Sequence, residues 1–321
     1  MRLGMYIDMR NPPEWQRPWP QHYGRWLERI EEAERLGAEM VWLTEHHFFD
    51  DGYLPQCFTL AAAIAARTTT IRIGTAVALL PLHLGIEMAE QVALCDVISG
   101  GRMEPGFGVG YRKPEYLAFD GDFKHRYRVF AERVREMRRL WGEEPFDDAQ
   151  LVTPPPVQRP MPLWFGFGGP DGARLAGRLG GGLLSGDAAL LEPYLVGLER
   201  GGHDRSRAKM TTSVEFLLAD DPERAWNIVQ EHAAYRWNSY ARYMFEGTRR
   251  AAPPPVTAAD WADTGGFVIG TPEHIAGVIR DRIGNLPVTD VYGWSDFPGM
   301  PDELVDRHIE LTFTALKPLL D

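Results

Sequence analysis

The chain has 321 residues, of which 44% are hydrophobic and 25% charged, the balance of an ordinary soluble globular protein. Its 34 basic residues against 45 acidic ones give a net charge of −11, which argues against nucleic acid or an anionic membrane as partner. The two cysteines, Cys57 and Cys95, make no disulfide framework, the N-terminus MRLGMYIDMR lacks a signal-peptide core, and no apolar run reaches membrane-spanning length. The expectation is a cytoplasmic protein with both thiols buried and structural.

In chain order, Leu3–Asp8 reads as a strand, followed by a Pro- and Trp-rich loop over Asn11–Gln21 that suits the lip of a pocket. Apolar residues at helical spacing predict a helix over Tyr23–Leu36, closed by Gly37. Met40–Thr44 is a short apolar run suited to a strand buried on both faces. A helix over Thr59–Ala66, a strand over Ile71–Val77 and a helix over Gly85–Ile98 follow, then a strand over Met103–Phe107 and an amphipathic helix over Arg126–Leu140. The turn-rich stretch Gly142–Pro162 reads as an excursion. Strands at Leu163–Phe167, Gly182–Ser185, Thr211–Leu218 and Val288–Trp294 alternate with helices at Gly172–Leu179, Leu190–Arg200, Pro222–Phe245, Thr271–Ile283 and Asp302–Leu316. A second excursion falls at about 247–270. Eight strands each followed by helix predict a single-domain (β/α)8 TIM barrel with insertions over 1–321. An open doubly wound sheet is disfavoured, because no Gly-x-Gly-x-x-Gly follows the first strand.

Catalytic groups in such barrels sit at strand ends, and four ends carry unusual residues. Glu45-His46-His47 closes the second strand; neighbouring residues on a strand point opposite ways, so at most one of His46 and His47 faces a given pocket. Gly74-Thr75-Ala76-Val77 closes the third with small residues, which suits a flat ligand or a close neighbouring strand equally. Gly106, Gly108 and Gly110 alternate before Tyr111, and close approach of backbone to a planar ligand is the preferred reading, since no Lys-Ser/Thr follows to make a nucleotide-triphosphate loop. Gly166-Phe167-Gly168-Gly169-Pro170-Asp171-Gly172 precedes a helix and offers free N–H groups at its positive end, a candidate anion site.

The runs VWLTEHHF, IGTAVALLP, AEQVALCDVISGGR with GFGVGY, LWFGFGGPDGA and GTPEHIAGVI occur in an order that resembles bacterial luciferase and the luciferase-like flavin-dependent monooxygenases, over nearly the whole chain. The resemblance implies a (β/α)8 barrel, reduced FMN as cofactor (supplied by a separate flavin reductase in two-component members), O2 as co-substrate and a homodimer. It places His46 near the flavin's reactive edge with His47 as its less direct neighbour. Glu45 and Tyr111 fall on residues whose backbone meets the ring, Ala76-Val77 on a non-prolyl cis peptide beneath it, and Gly168, Gly169 and Gly172 on the phosphate loop. Gly108 stands where luciferase has a cysteine, and Val109 where luciferase has an arginine that holds the phosphate. A phosphate here would rest on backbone N–H groups, with Arg112, Lys113 or Arg174 as the cation.

The resemblance implies oxygenation of a small organic substrate; Trp15, Trp19, Phe48, Phe49, Tyr53, Trp294 and Phe297 near the expected mouth suit a hydrophobic one, and core packing or surface anchoring would explain several of them equally well. The alternative within the superfamily is a deazaflavin-dependent oxidoreductase that transfers hydride; a flavin-binding protein without turnover is a third reading, which would not need an ionisable His46. A metal-dependent barrel hydrolase wants histidines spaced to face one way, and His22, His83, His125, His203, His232, His274 and His308 show no such pairing in the sequence, so no metal is expected.

Overall fold

The computed structural model describes residues 1–145, 151–248, 250–263 and 266–320. Twelve strand segments run in it: β1 (Arg2–Ile7), β2 (Met40–Leu43), β3 (Arg72–Thr75), β4 (Ala78–Leu79), β5 (Met103–Glu104), β6 (Gly106–Gly108), β7 (Trp164–Gly166), β8 (Gly182–Leu183), β9 (Met210–Ser213), β10 (Phe216–Leu218), β11 (Val268–Gly270) and β12 (Val288–Trp294). Two barrel strands are each split in two. β3 and β4 lie either side of the Ala76-Val77 peptide, which is cis, and β5 and β6 lie either side of Pro105, which has no N–H for the ladder. β3 pairs with β5 (Ile73 opposite Met103) and β4 with β6 (Ala78 opposite Phe107), so the ten-segment parallel sheet closes on itself as eight strands. The expected (β/α)8 barrel is the fold.

Period-two alternation sorts the strand residues. Leu3, Met5, Ile7, Val41, Leu43 and Ile73 join the main core under the helices, whereas Met40, Trp42, Trp164 and Tyr292 form a separate buried cluster inside the barrel, with Tyr6 packed against it. Two tryptophans in so narrow a space need small neighbours. A side chain at Gly74 would meet the Trp42 ring at 2.5 Å, and one at Gly182 would meet the Trp164 ring at 2.3 Å. The inward glycines are thus the counterpart of the inward indoles, and together they fill the barrel below its C-terminal mouth.

The same logic applies to Gly106 and Gly108 at the end of the fourth strand and to Gly166 in the fifth. A Cβ on Gly106 would lie 2.0 Å from the Thr75 carbonyl oxygen, and Cβ atoms on Gly108 and Gly166 would lie 2.5 and 2.6 Å from the Val77 methyls. Their immediate cause is the close passage of the Thr75–Val77 segment.

Helices over Arg126–Leu140 and Pro222–Phe245 match expectation to the residue, and Thr271 caps Pro272–Ile283 as predicted. Three expectations change. The first loop contains a 3-10 turn at Pro13–Trp15, and the helix after it starts at Trp19. The expected strand Thr211–Leu218 divides: its first half, β9, is in the barrel, while β10 pairs with β11 in a separate two-stranded sheet. β11 and a short helix, Ala258–Asp263, come from the second excursion, which is therefore partly structured. Residues 146–150 of the first excursion and 249, 264 and 265 of the second lie outside the described residues.

Because Gly166 and Val77 are in direct opposition, Gly166→Ala should cost about 1–3 kcal/mol of stability by overpacking. Val77→Ala should recover most of that loss in the double variant, as read by denaturant unfolding; simple additivity of the two changes would refute the contact.

Candidate active site

A cavity of about 400 Å³ opens at the C-terminal ends of the strands, within the usual range for a small-molecule site. His46, Ala76, Val77, Gly108, Gly110 and Tyr111 line it, as do Glu45 and Gly168. Gly169 and Gly172 border a neighbouring recess of about 720 Å³, and Tyr127 is common to both spaces. Around Gly168 and Gly169 the room for a side chain is empty to 4 Å, whereas Gly172 is explained by Phe167, 2.5 Å from where its Cβ would stand. Of the aromatic residues expected at the mouth, Tyr53 lines the cavity. Phe49 stacks on the His46 ring at 5.0 Å, Trp15 packs on His232, Trp294 on Tyr6 and Phe297 on Phe267, and Phe48 is 64% exposed.

β2 ends at Leu43; beyond it Thr44, Glu45 and His46 border the cavity, whereas His47 is not among the described residues that line it. The His46 Nδ1 lies 2.9 Å from Glu115 Oε1, which also accepts the His47 backbone N–H at 2.9 Å and an Arg112 N–H at 3.3 Å. Glu115 is fully buried. Burial works to raise its pKa, but the His46 hydrogen bond, the His46 and Arg112 charges and the His47 N–H together hold it below the usual carboxylate value. An ionised Glu115 accepts only, so Nδ1 of His46 carries the proton and Nε2 is left as the base. Burial lowers the His46 pKa below its ordinary value of 6.5, against the opposing pull of Glu115.

The Glu45 side chain turns into a second buried cluster. Its Oε1 is 2.9 Å from His47 Nε2 and 2.6 Å from His83 Nε2, and its Oε2 accepts the Leu79 N–H at 2.8 Å. Burial would raise this carboxyl, yet His47 and His83 hold it at about 2. For His83 burial is likewise outweighed, here by Glu45, and its pKa is raised. His83, unpaired in the sequence, thus converges with His47 on one carboxylate.

The expected cations have other partners, and Lys113 lies over the Phe123 ring at 5.7 Å. Arg112 is buried, bonding the His47 carbonyl, Glu115 and Glu246 and stacking on Phe49 and Tyr243, and Arg174 pairs with Asp171 at 2.7 Å. Arg126 lines the cavity instead. Glu115, Arg126 and the buried Arg10, which stacks on Tyr53 and Tyr240 between Asp8 and Asp51, went unrecognised in the sequence. The signal that marks Glu115 is local: Arg112 and Glu115 stand i, i+3 around Pro114, at the start of the short helix Lys113–Ala118. Cys57 and Cys95 are both buried, and burial pushes the Cys95 thiol up to about 12.

The family model of luciferase-like monooxygenases matches residues 1–289, and the chain belongs to that family. It is 29% identical over 180 residues to the F420-dependent glucose-6-phosphate dehydrogenase of Amycolatopsis mediterranei, covering 50% of this chain and 53% of that one. The chain thus spans about half the length of that curated relative. To the 4-hydroxyprotoasukamycin monooxygenase of Streptomyces nodosus subsp. asukaensis it is 27% identical over 312 residues, covering 85% and 82%. The crystal structure of the monooxygenase RslO1 from Streptomyces bottropensis superposes with a TM-score of 0.82 at 26% identity, covering 99% of both chains.

Glu115→Ala would leave the His46 ring, the His47 N–H and Arg112 facing an empty buried site, at a cost of about 3 kcal/mol of stability. In Glu115→Gln the neutral amide should lower the His46 pKa further. Long-range ¹H–¹⁵N NMR of the imidazoles reads both the tautomer and the pKa; an unchanged His46 in Glu115→Gln would refute the pairing.

Proposed function

We propose that the chain uses reduced FMN and O2 to oxygenate a hydrophobic small organic substrate, with His46 as the acid/base group. The observation that carries this reading is the His46–Glu115 pair at the wall of a cavity bordered by Ala76-Val77 and Gly108, with Gly168 at its rim. The residues fit a flat ring with an anionic tail. The cavity has the volume, and the empty space beside Gly168 and Gly169 leaves backbone N–H groups reachable before the helix Pro170–Arg178. Bound reduced flavin supplies the electrons and the means to activate O2.

The chain's own residues have separable tasks. Glu115 fixes the tautomer of His46, which accepts or returns a proton at Nε2. Tyr6 holds the Ala76 carbonyl through its hydroxyl at 2.5 Å and so steadies the cavity floor. Tyr53, Tyr111, Tyr127 and Phe167 supply aromatic wall, which excludes water and suits an apolar substrate. His47 acts at one remove, through Glu45. A deazaflavin-dependent hydride transfer is the second reading, favoured by the F420-dependent dehydrogenases among the relatives.

His46→Ala should retain flavin binding and lose about 10²–10⁴-fold in turnover with reduced FMN and the substrate; undiminished turnover would exclude the role. Since His46 is held below 6.5, kcat/KM should be level near pH 7 and fall on an acid limb below about pH 6.5 as Nε2 becomes protonated. Titration with oxidised FMN, reduced FMN and a deazaflavin, followed by fluorescence and thermal shift, decides the cofactor. A shift with the deazaflavin alone would select hydride transfer.

We also propose that the chain forms a homodimer, through the face carrying Ile86, Leu94, Val97 and Ile98, exposed on the helix Gly85–Ser99 beside the exposed Leu84. Light scattering of the chain should give twice its 36.3 kDa, and Leu94→Lys with Ile98→Lys should give the monomer. A monomeric parent chain would refute it.

A further inference from the structure

Glu45, His47 and His83 bring three donor atoms from two segments of the barrel rim to one place. Glu45 and His47 follow β2, and His83 follows the 3-10 turn Leu80–Leu82 beyond β4. The ligand atoms Oε1, Nε2 and Nε2 lie within 4.8 Å of one another. Both imidazoles present the same nitrogen to the same carboxylate oxygen, at 2.9 and 2.6 Å, where two separate hydrogen bonds would more simply use the two oxygens. The second oxygen is held by the Leu79 N–H at 2.8 Å, an outer partner that sets the carboxylate's orientation.

We propose that Glu45, His47 and His83 form a divalent-metal site, a set of two imidazoles and a carboxylate that suits Zn²⁺ with water as the fourth ligand. The site ties the end of β2 to the turn after β4. Its surroundings suit a structural ion. Glu45 and His47 are buried, Phe119 packs on the His47 ring at 4.5 Å and on the His83 ring at 6.0 Å, and His83 is 11% exposed on its side chain, which leaves an entry path. Without metal both Nε2 atoms donate to the ionised Glu45, so on binding each gives up that proton: a neutral ring exchanges it through solvent for one on Nδ1, and an imidazolium releases it to solvent and keeps the proton already on Nδ1, which frees both Nε2 lone pairs and that of Oε1 for the metal. Affinity therefore falls as pH is lowered. Glu45 also borders the flavin cavity, but the metal is loaded and read without flavin, so the two readings fail separately.

The test uses the full chain, treated with chelator, free of flavin and titrated with zinc sulfate by calorimetry, with Co²⁺ as the spectroscopic probe. The expected result is one Zn²⁺ per chain, visible Co²⁺ bands of tetrahedral intensity, and weakening by about 100-fold in His83→Ala. His83→Asn, checked by circular dichroism, gives the same reading should the alanine variant fail to fold. His125→Ala, which removes an exposed histidine paired with Asp122 at 2.7 Å, should bind as the parent does. Absence of stoichiometric binding by the parent chain, a Co²⁺ spectrum equal to that of the free aquo ion, or equal affinities in the His83 and His125 variants would each overturn the proposal.

Discussion

A single-residue alternation at the end of β2 governs this rim. His46 and His47 are consecutive, yet of the two only His46 lines the cavity among the described residues. Each then meets its own buried carboxylate, Glu115 on one side and Glu45 on the other. Two adjacent imidazoles thereby acquire different environments. His46 is depressed by burial, and the Glu45 cluster raises His83. Shifting the register of β2 by one residue would exchange the two rings and dismantle both pairings.

That alternation is held in place by the packing beneath it. Trp42, two residues before the strand's last polar neighbour Thr44, is fully buried inside the barrel, against Tyr292 at 5.4 Å and Trp164 at 5.9 Å. The glycines opposite these indoles leave no space for an alternative register, because any side chain there would strike a ring. Above the indoles, Val77 wedges between Gly108 and Gly166. The polar rim thus stands on a floor of large rings and absent side chains, and Arg112 joins it to the outer shell by bonding the His47 carbonyl and Glu246.

The strand–helix rhythm was legible because buried parallel strands and amphipathic helices have distinct periods. Helices Arg126–Leu140 and Pro222–Phe245 carry that period without interruption and were readable to the residue. The residues of β10 were readable as strand but not its departure from the barrel sheet, and β11 was not readable at all, since each is three residues long and is defined by pairing with a segment some fifty positions away. Alternating glycines before Tyr111 signalled a special place, but pattern cannot say whether a ligand or a neighbouring chain segment comes close. Here Thr75 and Val77 do.

For the candidate site, the sequence alone determined the identity and order of the groups at the second strand end, and that His46 and His47 would diverge. That follows from backbone geometry, which is local. Only the tertiary structure decided their partners. Glu115 reaches His46 across 69 residues and His83 reaches Glu45 across 38, and no periodicity relates such positions. The same holds for Arg112, a candidate phosphate ligand by its place in the sequence and a buried clamp by its contacts. A side chain's chemistry is written in the chain; what it meets depends on which strand ends the closure of the barrel brings together.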